Sequence, residues 1–201
     1  MNLFELIQGQ LSDDMVSQLS RQIGGTPQQT KTATDGVVST LIAALSKNAA
    51  QPGGAESLAS ALDRDHDGSV LDDAMGFLLG NKQPASTNAL NGSGILNHVL
   101  GKKQKPAEKM LGKMSGLDKA QVGQLMVTLA PLVMAALGKA KKQQGIDAGG
   151  IGQLLSQTVQ SSANQRSEMG LIGQFLDKDG DGSVMDDLLN MGMKAFFGKK
   201  R

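Results

Sequence analysis

The chain has 201 residues, a formal net charge of +1 and 39% hydrophobic residues, which exclude a disordered chain and allow one or two small domains with real cores. It holds no cysteine, tyrosine or tryptophan, and five phenylalanines against eleven methionines. Disulfides, thiolate catalysis and cysteine–zinc sites are therefore excluded, and a core of aliphatics, alanine and methionine points to helices over strands.

The start, Met1-Asn2-Leu3-Phe4-Glu5-Leu6-Ile7, lacks the basic stretch, long apolar run and small-residue cleavage site of a signal peptide. Leu3, Phe4, Ile7, Leu11, Met15, Leu19 and Ile23 recur at helical spacing, and Ser12 before Asp13 and Asp14 is placed to cap a fresh start within that run. Gly24-Gly25 stops it. Thr26-Pro27-Gln28-Gln29 then restarts a helix, with Thr as cap, Pro in the first turn and Gln three residues on. That helix continues through Val37, Val38, Leu41, Ile42, Ala44 and Leu45, apolar on most sides, and is expected at the centre of the fold. Gln51-Pro52-Gly53-Gly54 ends it. A short helix from Glu56 to Leu62 is expected next.

The stretch that follows reads Asp63-Arg64-Asp65-His66-Asp67-Gly68-Ser69-Val70-Leu71-Asp72-Asp73, and a second helix, Ala74 to Leu79, leaves it. Carboxylates at positions 1, 3 and 5 with glycine at 6 let a chain curl so that alternate oxygens face one centre, as a hard cation such as Ca2+ requires. His66, at position 4, points away from that centre and is expected in solvent. Asn81 to Gly94 is rich in Asn, Ser, Gly and Pro, and residues 83–93 form the expected linker. Asn97-His98-Val99 follows in a short apolar turn, with His98 at the surface or satisfied in the core.

The second part repeats the plan. Pro106 begins a helix through Met110, Leu111 and Met114 that ends at Ser115-Gly116; Asp118, with Gln121 three residues on, caps the next, through Val122, Leu125, Met126, Leu129, Val133, Ala136 and Leu137. Pro131 is expected to bend it. The apolar run from Met126 to Leu137 is too short to span a bilayer. Asp147 opens a helix through Ile151, Leu154, Leu155 and Val159, and Ser167-Glu168 a short one through Phe175 into Asp177-Lys178-Asp179-Gly180-Asp181-Gly182-Ser183-Val184-Met185-Asp186-Asp187. A helix from Met185 to Phe197 leaves this second loop.

Both loops resemble the EF-hand calcium loop and the variants seen in dockerin-like bacterial modules. They depart from it at position 12, where Ala74 and Leu188 stand in place of a bidentate glutamate. The resemblance implies Ca2+ at two sites. It assigns Asp63, Asp65, Asp67 and the Ser69 carbonyl to the first, and Asp177, Asp179, Asp181 and the Ser183 carbonyl to the second. The closing ligands are inferred as Asp73 and Asp187 at position 11, giving loops 63–73 and 177–187. Asp72 and Asp186 then fall in the first turn of the outgoing helices, where they favour the positive helix end. The whole layout resembles the bacterial family known as domain of unknown function 937, through its Met1-to-Leu6 start, the Gly25–Leu45 helix with its partner Gly116–Leu137, and the two Asp-Gly-Ser-Val loops. That resemblance spans nearly the full length and implies an all-helical bacterial protein without an established activity.

The expected architecture is an all-α, internally duplicated helical bundle with two EF-hand-like helix-loop-helix calcium sites: a first repeat over 1–82, the linker over 83–93 and a second repeat over 94–201. Residues 1–93 carry five Lys/Arg against ten Asp/Glu, and residues 94–201 carry fifteen against nine, so the two parts are expected to dock on each other. Lysines cluster at Lys102, Lys103, Lys105, Lys109 and Lys113 and again at Lys139, Lys141 and Lys142. Solvated helix faces are preferred over a nucleic-acid or anionic-membrane face, because no groove-reading motif or stacking aromatic accompanies them. The favoured function is a cytoplasmic, non-enzymatic calcium-binding protein with a protein partner or self-association. The alternative is a calcium sensor that exposes a methionine-lined groove. An enzyme has least support, with two unpaired histidines, no phosphate loop and no nucleophile elbow.

Overall fold

The computed structural model describes residues 3–66 and 91–165. These form eight α-helices and one short 3-10 turn, with no strand among the described residues. The helices are α1 (Leu3–Gln10), α2 (Asp13–Ile23), α3 (Pro27–Ala49) and α4 (Gly54–Asp65), then α5 (Gly92–Val99), α6 (Gln104–Ser115), α7 (Lys119–Gln144) and α8 (Ala148–Gln165). The described residues are thus all-helical, as the composition led one to expect.

Local chemistry sets most of the boundaries. Ser12 caps α2 by accepting from the Met15 amide, and Gly24 closes it in the left-handed region at φ 74°. Thr26 and Gln29 form a capping box at the start of α3: the Gln29 amide donates to Thr26 Oγ1, and the Thr26 amide donates to Gln29 Oε1. Asp118 and Gln121 do the same for α7, at 2.8 Å in both directions. Asp147 caps α8, its carboxylate accepting from the Gly150 amide.

α3 and α7 are the two helices with apolar residues on nearly every side, and both are sunk in the bundle. α3 packs on α8, α7, α6 and α2, and α7 also carries α5 against it. One hydrophobic core draws residues from all eight helices, from Leu3 and Ile7 in α1 to Ile151 and Leu155 in α8. The helices before and after the expected linker therefore bury their apolar faces on each other. Against the expectation from its apolar run, α7 is long and apolar enough to cross a membrane by length and composition, but 67% of its most apolar stretch is buried inside the bundle, as in a core helix.

Several expectations are corrected. α4 does not stop at Leu62 but runs through Asp65. Leu62 anchors the last turn in the core, and Arg64 in that turn complements the negative helix end. The apolar turn at Asn97–Val99 is helical, because Asn91 caps α5 by accepting from the Gly94 amide. The expected linker thus ends at Asn91, since Gly92 opens α5, and its residues 83–90 lie outside the described ones. The helices expected at Ala74–Leu79, Ser167–Phe175 and Met185–Phe197 also lie outside them.

α5 meets α7 at an unusual point. Pro131 lies inside α7 and has no N–H, so the Val127 carbonyl four residues earlier loses its helical donor. Gly92 presses on that carbonyl: a Cβ there would stand 1.9 Å from the Val127 oxygen. Only glycine permits this approach.

Candidate functional site

The end of α4 is where the first acidic stretch begins. Its last turn carries Asp63, Arg64 and Asp65, and His66 follows, its amide donating to the Leu62 carbonyl at 3.0 Å. Residues two apart on a helix point to nearly opposite sides. Accordingly Asp63 opens on a cavity of about 290 Å³ beside Lys141 and Ile146, whereas Asp65 and His66 line a larger cleft of about 1070 Å³. That cleft has Leu45 and Met134 on its apolar side and Asn48 and His98 among its polar groups.

The two aspartates have different counter-ions. Lys141 of α7 donates its ammonium to Asp63 across the bundle. Arg64 pairs with its neighbour Asp65 at 2.8 Å. The lysine of the Asp63 pair is largely covered while the carboxylate is largely exposed, so Asp63 keeps oxygen surface toward solvent.

His66 is a correction to the sequence reading, which left it in solvent. It is 4% exposed, and its Nδ1 has no hydrogen-bond partner. Burial pushes the imidazole below its ordinary value, with the Asp65 carboxylate pulling the other way. His98, by contrast, is exposed near the end of α5.

Of the residues proposed to ligate calcium, Asp63 and Asp65 are described, and the structure does not bring them together. Asp67, Ser69 and Asp73 lie outside the described residues, as do Asp177, Asp179, Asp181, Ser183 and Asp187. Among the described residues no group of three or more His, Asp or Glu side chains could hold a metal ion. Of the methionines that could line a groove or fill the core, Met126 and Met134 are buried, Met110 and Met114 pack against the core from its edge, and Met191 and Met193 lie outside the described residues.

Sequence reasoning missed three features here. Lys141 was grouped with Lys139 and Lys142 in a basic cluster, and only the packing of α4 on α7 pairs it with Asp63. The burial of His66 has no local signature. The third is a reciprocal bond between helix pairs. Gln29 donates its amide nitrogen to the carbonyl of Gly116, the cap of α6, at 3.0 Å. Gln121 donates to the Ile23 and Gly24 carbonyls at the end of α2, at 3.0 and 3.1 Å. Each glutamine thus uses its oxygen for its own helix start and its nitrogen for the other pair's helix end.

These features define an all-helical bundle with an acidic helix end set between two clefts. Residues 5–140 match the family described as bacterial protein of unknown function, DUF937, and the chain belongs to that family. The match runs from α1 to near the end of α7, which is shorter than the nearly full-length resemblance expected, and it stops before the second acidic loop. No curated protein and no solved structure matches the chain.

Proposed function

We propose that this protein is a non-enzymatic calcium-binding helical bundle, in which Ca2+ at the two Asp-Gly-Ser-Val loops stiffens the ends of the helices that lead into them. The observation that carries the reading is the repetition itself: five carboxylates within eleven residues, twice, at spacings suited to an all-oxygen cage. The first site would take Asp63, Asp65, Asp67, the Ser69 carbonyl and Asp73; the second would take Asp177, Asp179, Asp181, the Ser183 carbonyl and Asp187. Binding at the first site requires the last turn of α4 to unwind, because a helix keeps Asp63 and Asp65 on opposite sides. Lys141 then has to release Asp63 to the ion, so the ammonium serves as the resident counter-ion of the metal-free state.

The same reading treats the two helix pairs α2–α3 and α6–α7 as copies of one unit. Its support is the matching capping boxes at Thr26–Gln29 and Asp118–Gln121, the left-handed glycines Gly24 and Gly116 before them, and the mutual glutamine bonds. The burial of Met126 and Met134 favours a structural over a sensory role for the ion, since these methionines already serve the core.

The test is thermal unfolding in chelator and in calcium. Each occupied site adds roughly 2.7 kcal/mol at a hundredfold excess over its dissociation constant, so the metal-free chain should melt lower. Superimposable curves contradict the reading.

A further inference from the structure

We propose that the cleft between α4 and α5 binds a small, uncharged, largely apolar molecule that carries a hydroxyl group, independently of calcium. The two helices stand on a common floor, since each packs on α3 and α7. Leu58 and Ala61 on α4, and Ile95 and His98 on α5, are spaced three apart and so share one face of each helix. All four line the cleft, with Leu45 of α3 and Met134 of α7 buried beneath it. Leu58 and Ile95 are half-buried, one on each wall, and leave apolar surface turned to the cleft. The volume of about 1070 Å³ is at the top of the range for small-molecule sites.

His66 sets the polar requirement. It lines the same cleft, is 4% exposed, and its Nδ1 has no hydrogen-bond partner. A buried polar atom left unpaired costs free energy that a partner recovers. A neutral imidazole carries a hydrogen on one ring nitrogen and a lone pair on the other. A hydroxyl suits Nδ1 in either form, because it both donates and accepts. The second torsion of a histidine side chain is soft, so the ring can turn Nδ1 toward a ligand lying against it.

Charge decides against an ionised ligand. Among the described residues that line the cleft, Arg64 and Asp65 are the only ones of the Lys, Arg, Asp and Glu types, and they pair with each other at 2.8 Å. A carboxylate or phosphate entering the cleft would lose water without gaining a counter-ion of its own. A neutral molecule loses only the hydration of its hydroxyl, which His66 replaces, and gains the apolar walls.

Fluorescence of 1,6-diphenylhexatriene, a hydrocarbon dye that brightens on leaving water, tests this with the full chain in chelator. The dye should bind saturably, and 1-decanol should displace it at concentrations about tenfold lower than decanoate. Ala61→Phe fills the cleft and should abolish dye binding. Gln157→Phe, at an exposed position of α8 outside the cleft, should leave it unchanged. His66→Phe keeps a flat ring but removes Nδ1; it should still bind the dye and should weaken displacement by decanol about tenfold, the worth of one hydrogen bond. Circular dichroism melts should show all three variants folded. Absence of dye binding overturns the proposal, as does binding that survives Ala61→Phe. Decanoate competing as well as decanol overturns it too, and so does decanol competing equally in the parent and in His66→Phe.

Discussion

Gln29 and Gln121 each hold two helices with one side chain. A glutamate at the third helical position also completes a capping box, and its charge favours the positive helix start. It has no N–H to offer the opposite helix end, however, and would set a carboxylate against the carbonyls of Ile23 and Gly24 that Gln121 now satisfies. Gln121→Glu should therefore destabilise the fold by about 1–2 kcal/mol, although local helix chemistry alone favours it. Urea unfolding reads this directly, and an unchanged or raised midpoint would mean that the cross-bonds contribute nothing. His66 supplies the second residue-scale expectation. Its folded-state value is held down by burial, so as pH falls below about 6.5 the unfolded chain takes up the proton first. The sign is then loss of stability with falling pH, over the window from about 6.5 down to the lowered folded value. Melting temperatures should fall over that window more steeply in the parent than in His66→Gln, and parallel slopes would refute the assignment.

At the scale of elements, the contact between α5 and α7 rests on a missing atom on each side: Pro131 has no N–H and Gly92 has no Cβ. Gly92→Ala would drive a methyl group into the Val127 carbonyl, a backbone atom that cannot rotate away. A loss of about 3 kcal/mol in denaturant unfolding is expected, at the upper end of overpacking costs. A loss below about 1 kcal/mol would mean that α5 shifts freely on α7. The elements legible in the sequence were those whose signals are local. Ser12, Thr26–Gln29, Asp118–Gln121 and Asp147 were all read correctly as helix starts, because a cap bonds within three residues of itself. The sequence reading ends α4 three residues early because what extends that end is tertiary: Leu62 in the core and Lys141 reaching Asp63 from α7. His66 was misread for the same reason. A position in a loop pattern says where a side chain points relative to an ion, and nothing about what packs over it.

At the scale of the molecule, the apolar faces of α3 and α7 exceed what their own sequence neighbours can cover, and the described helices before and after the expected linker bury them in one core. Opposite net charges on the two parts of the chain meet in at least one place, the Lys141–Asp63 pair. That pair also bears on the central claim, because it places a cation on the first proposed calcium ligand and makes calcium an exchange of one positive partner for another. Isothermal titration of metal-free protein with calcium, repeated in the presence of magnesium, tests that claim most directly. All proposed ligands are oxygens in flexible loops, which suit the larger ion. The account predicts two calcium ions bound per chain, with magnesium failing to displace them; no heat of binding at millimolar calcium, or displacement by magnesium at equal concentration, would contradict it.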